Sequence, residues 1–359
     1  MKAVVLVGGE GTRLRPLTCN TVKAMVPVIN RPFLEHMISH LCRYNICDVI
    51  LALGYLPYQI ESRIGSGTDL GVNLTYSVED SPLGTAGAVK NAEQYLDDEP
   101  FYVFNGDIFC DIDLGDMLTF HRERGAIATI ALTPVDDPSA YGVVETNGTG
   151  RVDRFVEKPP KGTATTNLIN AGIYILESTL LKDIPSDTPF MFEHHLFPLL
   201  LQQGLPVYGY PSDAYWIDMG TPEKYLNLNQ DLLNGRAPFF LDNNYVCNEH
   251  KTSTIDQSDG PVILGDNCVV GPGAQIVGPA VLGDGCVIGD GAVIERSVLW
   301  QNVKVGCRAN LVDCIVGSDC LIGDDSRIPQ GSVVGDHVVI DDECKIQGDS
   351  RIWPGTRIS

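Results

Sequence analysis

Three glycines and three cations lie close together near the start of the chain. Gly8, Gly9 and Gly11 follow an apolar run that ends at Val7. Arg13 and Arg15 come next, and Lys23 lies eight residues beyond Arg15. Glycines let a ligand approach the backbone closely, and successive amides in such a turn form a concave anion site. Cationic side chains around amides suit a polyphosphate. The plainer alternative is a surface turn with incidental arginines. Two known loops are excluded by spacing. A dinucleotide fingerprint needs glycine where Leu14 stands, and the Gly-Lys-Ser/Thr of a Walker loop is absent.

Carboxylates form the second group. Asp107 closes "NGD" after the apolar run Phe101–Phe104, and Asp218 ends the apolar stretch of "YWIDMGTPEKYL". A carboxylate beside phosphate repels it unless a cation intervenes. Mg²⁺ fills that role, held by one or two carboxylates and phosphate oxygens. Each aspartate alone also reads as a turn or cap residue. Thr221 and Pro222 read as a helix cap and first helical residue.

These groups need elements to position them. Lys2–Val7, Val49–Leu53, Val72–Val78 and Phe101–Phe104 read as strands. Phe33–Leu41, just after Pro32 at a first-turn position, and Ala86–Leu96 read as helices. The alternation predicts an α/β, Rossmann-like, mostly parallel sheet, with ligands beyond the carboxyl ends of its strands.

From Val262 the pattern changes to hexads: VILGDN, CVVGPG, AQIVGP, AVLGDG, CVIGDG, AVIERS. Hexads of this kind predict a left-handed parallel β-helix with 18 residues per coil. Cys268 and Cys286 are 18 apart, as are Ala274 and Ala292, so small residues should stack at tight inner positions. The phase slips after Ser297. The domains expected are 1–235 for the α/β part, 236–257 as a linker and 258–359 for the β-helix.

At 359 residues the chain is long enough for one large or two medium domains, and its net charge of −21 argues against nucleic acid or an anionic membrane as partner. The 11 cysteines include no C-x-x-C pair, which points away from zinc and disulfide frameworks and toward free thiols in the cytoplasm. No signal peptide or membrane-spanning run is expected.

The ordered set "GGEGTRLRPLT", "KAMVPV", "SPLGTAGAVKNA", "NGD", "VEKP", "NAGIYIL" and "WIDMGTPEKY", followed by hexads, resembles the sugar-1-phosphate nucleotidyltransferase family over nearly the whole chain. The resemblance implies a GT-A-like catalytic fold and an enzyme that joins an NTP to a sugar 1-phosphate, releasing pyrophosphate. It implies that Gly8, Gly9, Gly11, Thr12 and Arg13 hold the triphosphate, that Arg13 steadies the departing pyrophosphate and that Lys23 contacts phosphate. Asp107 and Asp218 would share Mg²⁺. Lys158 would meet the sugar phosphate, Glu157 the sugar hydroxyls, and Gly142 and Asn170 the sugar pocket. The family frames its lysine as P-K-P, whereas Val22 and Ala24 flank Lys23 here.

The loop "SVEDSPLGTAG", with Gly84 and Thr85, is the base-reading segment the resemblance implies. Where relatives using uracil or thymine carry Gln, this chain has Glu79. A carboxylate offers only acceptors, and guanine presents two adjacent donors, so GTP is favoured. Mannose is the family expectation for the sugar; glucose and manno-heptose fit the same motifs, and thymidylyl, uridylyl or adenylyl transfer is the alternative chemistry. A sugar 1-phosphate is already an anionic nucleophile, so no general base is needed. His194 and His195, in an expected apolar helix Phe190–Leu201, read as structural. A hexapeptide acyltransferase would need a repeat-borne histidine, and the repeats hold only His337. A non-catalytic sibling would have lost Arg13, Lys23, Asp107 or Asp218. Association of copies through the β-helix is expected.

Overall fold

The structure, a computed structural model, describes residues 1–237, 254–256 and 260–359. Of the linker expected over 236–257, residues 238–253 and 257 lie outside the described residues. By contacts the chain divides into two compact units that interleave in sequence. One comprises Met1–Gly9 and Met37–Trp216, the other Glu10–His36 and Ile217–Ser359.

The first unit is built on a nine-stranded sheet. Its spatial order runs Val152–Glu157, Gly142–Thr146, Leu168–Leu176, Phe101–Asn105, Lys2–Leu6, Asp48–Leu53, Asn73–Val78, with Ala128–Pro134 and Val207–Pro211 attached beside Leu168–Leu176. The four strands of this sheet that come first in the chain, up to Asn105, are parallel: Val4 pairs with Ile50 and Val103, and Ile50 with Thr75. The later strands add antiparallel pairings, such as Tyr174 with Val103 and Phe155 with Val144. The short turn between Thr146 and Val152 permits only an antiparallel return, since a parallel one needs a crossover. Apolar runs such as Val4, Val103, Ile130 and Tyr174 fill the core at 0% exposure.

Two helix expectations change. The helix predicted over Ala86–Leu96 covers Gly84–Asn91, and a separate 3₁₀ turn, Glu93–Tyr95, follows. The helix predicted over Phe190–Leu201 is a π-turn at Phe192–Leu196 leading into Phe197–Gln202. Pro198 is the reason. It has no N–H to give the His194 carbonyl, and the ladder widens so that the Phe197 N–H donates to Phe192. Pro32 lies in the short strand Arg31–Pro32, and the helix begins at Phe33.

The second unit contains parallel strands in three sheets of five, six and six among the described residues, consistent with the left-handed hexapeptide β-helix. Val269 pairs with Val287 and Val281 with Ile263, 18 residues apart. Val281 pairs with Val298 and Val298 with Ile315, 17 apart, and the 18-residue spacing returns at Val333. The phase slip is therefore two short corners, at Arg296–Ser297 and Asp313–Cys314. Small residues do stack inside: Ala274, Ala292 and Ala309 in one column, Ser297, Cys314 and Ser332 in another, all at 0% exposure. Cys268, Cys286, Cys314 and Cys320 are buried in this core, while Cys307 and Cys344 are half-buried. Asn267, Asn302, Asp319 and His337 occupy left-handed turn positions, with φ near 58°, where such side chains are tolerated. No helix among the described residues is long and apolar enough to cross a membrane.

Candidate active site

Four parallel strands of the first unit end along one edge, and their last residues deliver Gly8, Gly54, Glu79 and Asp107 there. The Gly106 N–H donates to the Leu6 carbonyl at 2.9 Å. A Cβ on Gly106 would lie 2.3 Å from that oxygen, so only glycine fits between the strand ends. Asp107 emerges half-buried directly after it. Gly8 packs on Gly54, whose own Cβ would meet the Gly8 carbonyl at 3.0 Å.

Glu79 follows the outermost parallel strand. Its N–H donates to Leu53, and its Oε2 accepts the Leu83 N–H at 3.0 Å. Burial raises its pKa, and the Leu83 amide works the other way. The carboxylate thus braces the loop that leads into Gly84, which takes a left-handed φ of 72°. The Phe190 carbonyl accepts both the Ala86 and Gly87 N–H groups. Thr85 Oγ1 accepts the Phe192 N–H at 2.9 Å and donates to Glu193 Oε2 at 3.2 Å.

A second cluster gathers around Glu157 and Asn170. Gly142 pairs with Glu157 across the hairpin. A Cβ on Gly142 would lie 2.6 Å from Phe155 Cζ and 2.8 Å from Glu157 Oε2. Lys158 Nζ sits 3.1 Å from Glu157 Oε1 and is well exposed. Asn170 donates to the Tyr174 hydroxyl at 2.8 Å and accepts the Gly172 N–H. Tyr174 in turn donates to Glu193 Oε1 at 3.4 Å.

Glu193 is therefore the hinge between the Thr85 loop and the Asn170 cluster, and sequence reasoning missed it. Burial pushes its carboxyl above the ordinary range, and the like charge of Glu157 adds to this. Its place on a π-turn, a frequent mark of functional sites, follows from Pro198 and is the one local signal that pointed to it. His195 accepts the Met191 N–H and stacks on Phe190, which fits a structural role.

The second unit carries the cationic residues. Gly11 has φ 63°, and its carbonyl accepts both the Leu14 N–H and the Thr18 hydroxyl, the latter at 2.7 Å. Thr12, Arg13 and Leu14 form a 3₁₀ turn. The loop packs on Lys23, whose Cβ would lie 3.1 Å from a Cβ on Gly11. Lys23 opens a second 3₁₀ turn, Lys23–Met25, and is 9% exposed. Val22 and Ala24 are buried, and the Met25 N–H donates to the Val22 carbonyl and the Val26 N–H to the Lys23 carbonyl, which hold the backbone of the turn.

Asp218 is 7% exposed. Its Oδ2 pairs with Lys224 Nζ at 3.1 Å, while Oδ1 is buried with no protein partner. Lys224 was not singled out from the sequence, although it stands in the first turn after the Thr221 cap, which does accept the Lys224 N–H. A Cβ on Gly220 would lie 2.8 Å from Asp218 Oδ1 and 3.0 Å from Arg13 Nη2. The guanidinium and the orphaned carboxylate oxygen therefore flank one small space that glycine keeps open. A buried acceptor of this kind fits a hard cation. Among the described residues no group of three or more His, Cys, Asp or Glu could hold a metal, so the cation would draw on single carboxylates and phosphate oxygens, the manner of Mg²⁺.

The chain is similar in sequence to mannose-1-phosphate guanylyltransferase of Mycobacterium tuberculosis, 37% identical over 311 residues that cover 85% of this chain and 82% of the relative. It is 40% identical to mannose-1-phosphate guanyltransferase of Debaryomyces hansenii over 331 residues, 88% of this chain and 86% of the relative. Among solved structures, HddC from Yersinia pseudotuberculosis complexed with GMP-PN aligns with a TM-score of 0.57 at 31% identity, covering 64% of this chain and 99% of that one. The profile of the GMPPB C-terminal domain matches residues 258–359. The nucleotidyl transferase profile matches residues 2–235, and with the glycine loop, strand-end aspartate and Glu157-Lys158 pair in place, the chain belongs to the nucleotidyl transferase family.

Proposed function

We propose that this enzyme transfers GMP from GTP to mannose 1-phosphate, giving GDP-mannose and pyrophosphate. The observation that carries nucleotidyl transfer is the juxtaposition of Arg13 and the unpartnered Asp218 Oδ1 across Gly220. Guanine is supported by the half-buried Glu79 carboxylate, whose remaining lone pairs accept but cannot donate, and by the guanine nucleotide analogue bound by HddC. Mannose is supported by the names of relatives at 37–41% identity.

In this reading Gly8, Gly9, Gly11 and Thr12 cradle the triphosphate, and Glu79, Gly84 and Thr85 line the base side. Glu157, Gly142 and Asn170 take the sugar, and Lys158 takes its phosphate. A sugar-phosphate oxygen attacks the α-phosphorus in line. The bond to the bridging oxygen of pyrophosphate breaks, and that oxygen leaves with the electron pair. No proton moves, so no general base is required. Arg13 and Lys23 neutralise charge on the departing group, and most of the catalysis is positioning. The family works with a divalent metal, and we assign Mg²⁺ to Asp107 and Asp218. When bound, it neutralises phosphate charge.

The domain organisation 1–235, 236–257 and 258–359 and a cytoplasmic location belong to the same reading, the latter supported by the free described cysteines. Self-association through the β-helix is supported by Val269, Val287 and Leu321, each at least 38% exposed, in an outward column that Lys304 interrupts; a strictly monomeric sedimentation profile removes it.

Pyrophosphate release over a grid of NTPs and sugar 1-phosphates tests the function. GTP with mannose 1-phosphate should give the highest kcat/KM, and a different best pair replaces the substrates. Asp218→Asn should fold normally yet lose roughly 10²-fold or more in kcat, the scale of losing a transition-state electrostatic contact. Wild-type turnover in that variant removes Asp218 from the metal.

A further inference from the structure

The residues that follow the glycine loop are fastened to several coils of the β-helix, all within one compact unit. Arg351 Nη1 donates to the Arg15 carbonyl at 2.9 Å. Asn20 donates to Asp336 Oδ2 at 3.2 Å, and Asn30 to the Leu282 carbonyl at 2.8 Å.

The central attachment is Trp300. Its indole Nε1–H donates to the Tyr225 hydroxyl at 2.9 Å, and Tyr225 donates to the Pro27 carbonyl at 2.5 Å. Tyr225 is 0% and Trp300 4% exposed. One turn along the same helix, Asn229 accepts the Ile29 N–H and donates to the Tyr225 carbonyl. From Pro27 the backbone returns through Val26, whose N–H closes on the Lys23 carbonyl. Tyr225 also neighbours Lys224, the residue that holds Asp218. One buried hydrogen-bond relay thus runs from the β-helix to the turn bearing Lys23. Fully satisfied buried networks of this kind rigidify what they join.

Trp300 is an anomaly in its own repeat. Ladder bonds put Gly265, Gly283, Trp300, Gly317 and Gly335 at one level of successive coils. The level continues to Trp353 in the last described coil; where a further coil stacks on it, as on Gly283, a Cβ would lie 2.7 Å from the backbone of Trp300 and Gln301, so the inner coils otherwise carry glycine there. A repeat that served only to stack, or to associate with copies, gains nothing from an indole there.

We propose that the β-helix is a positioning element for the nucleotide chemistry, and that Trp300 is the positioning residue through which it sets the Lys23 turn. This rests on the reading above, in which Lys23 contacts the triphosphate.

The test uses full-length Trp300→Phe and Tyr225→Phe, with Lys23→Ala and the exposed Trp353→Phe as references. KM for GTP and for mannose 1-phosphate is measured separately by pyrophosphate release. Trp300→Phe keeps a ring but loses the donor. It should raise the GTP KM and lower kcat by roughly threefold each, together about tenfold in kcat/KM, the scale of one neutral hydrogen bond. Tyr225→Phe should do at least as much. The KM for mannose 1-phosphate should stay within about twofold, as positioning confined to the phosphate side requires. Trp353→Phe should match wild type. A merely structural role lowers the active fraction, so kcat falls and neither KM moves; that result overturns the proposal. In the Lys23→Ala background Trp300→Phe should add nothing, because the two act as one unit. Multiplying penalties overturn it as well. An unchanged GTP KM in Lys23→Ala itself would fault the reading of Lys23, and the proposal falls with it.

Discussion

Gly142→Ala is the most direct probe of the sugar side, because the perturbation is steric alone. Gly142 lies in a strand, so alanine meets no backbone strain there. The added Cβ would stand 2.6 Å from Phe155 Cζ and 2.8 Å from Glu157 Oε2, where real contacts stay beyond 3.0 Å. Phe155 packs on Phe197 with ring centroids 5.7 Å apart and against the buried core, so it yields little. The freer carboxylate of Glu157 must give way. Overpacking of this kind costs about 1–3 kcal/mol of stability. The functional cost is separate. Hydrogen bonds from hydroxyls to a carboxylate are worth about 1.5–3 kcal/mol. At about 1.4 kcal/mol per tenfold, displacing Glu157 should lower kcat/KM for mannose 1-phosphate about 10- to 100-fold. The assay is pyrophosphate release with each substrate varied in turn, beside thermal unfolding. KM for GTP should hold within about twofold, since the triphosphate contacts are untouched. A lowered melting temperature with an unchanged sugar-phosphate KM would refute the assignment of Glu157 to the sugar.

Two further variants address the carboxylates whose pKa values burial raises. Glu79→Gln can keep the Leu83 N–H on its amide oxygen, which turns its NH₂ toward the base. The GTP-to-UTP ratio of kcat/KM should then fall at least about tenfold, the scale of one charged hydrogen bond, and an unaltered ratio would separate Glu79 from base choice. Glu193 is a stability probe. Its folded pKa is raised, so its contribution is complete below the unfolded value of about 4.3 and is lost as pH rises through the folded one. The melting temperature of Glu193→Gln relative to wild type should therefore climb as pH rises above about 4.3; a flat difference contradicts the shift.

What the sequence disclosed follows from how local each cause is. The glycine loop, "NGD" and the Thr221-Pro222 helix start depend on residues within a few positions, and each stands where the pattern put it. The hexads were equally plain, because each coil repeats its neighbour's constraints. Glu193 was hidden for the opposite reason: its partner Thr85 lies 108 residues earlier, and its orientation depends on a π-turn that apolar periodicity reads as ordinary helix. Lys224 stood inside a quoted motif, but its meaning required knowing that Asp218 is buried with one oxygen unpaired. The parallel half of the sheet was legible from strand–helix alternation. The antiparallel additions were not, since both edges of such a sheet accept strands of the same apolar type.

The repeat is most informative where it fails. Both short corners place a non-glycine residue in the left-handed region, Arg296 at φ 45° and Asp313 at φ 43°. Such residues cost about 1–2 kcal/mol each, a cost the regular corners also bear at Asn302, Arg308 and His337. The fork of Arg296 onto Asp313, at 2.9 and 2.8 Å, offsets part of this, although the pair is partly exposed and screened. The first corner turns the Arg296 carbonyl toward the helix Pro222–Leu233, where Gln230 donates to it at 3.0 Å. Four residues later Trp300 replaces the glycine of its column and reaches Tyr225 on that helix. The departures from the hexad thus fall where the coils meet the residues that hold Lys23 and Asp218, as expected when local rules are broken for function. Returning position 300 to glycine would perfect the repeat and cut its link to Tyr225, which is why regularity there and catalysis should trade against each other.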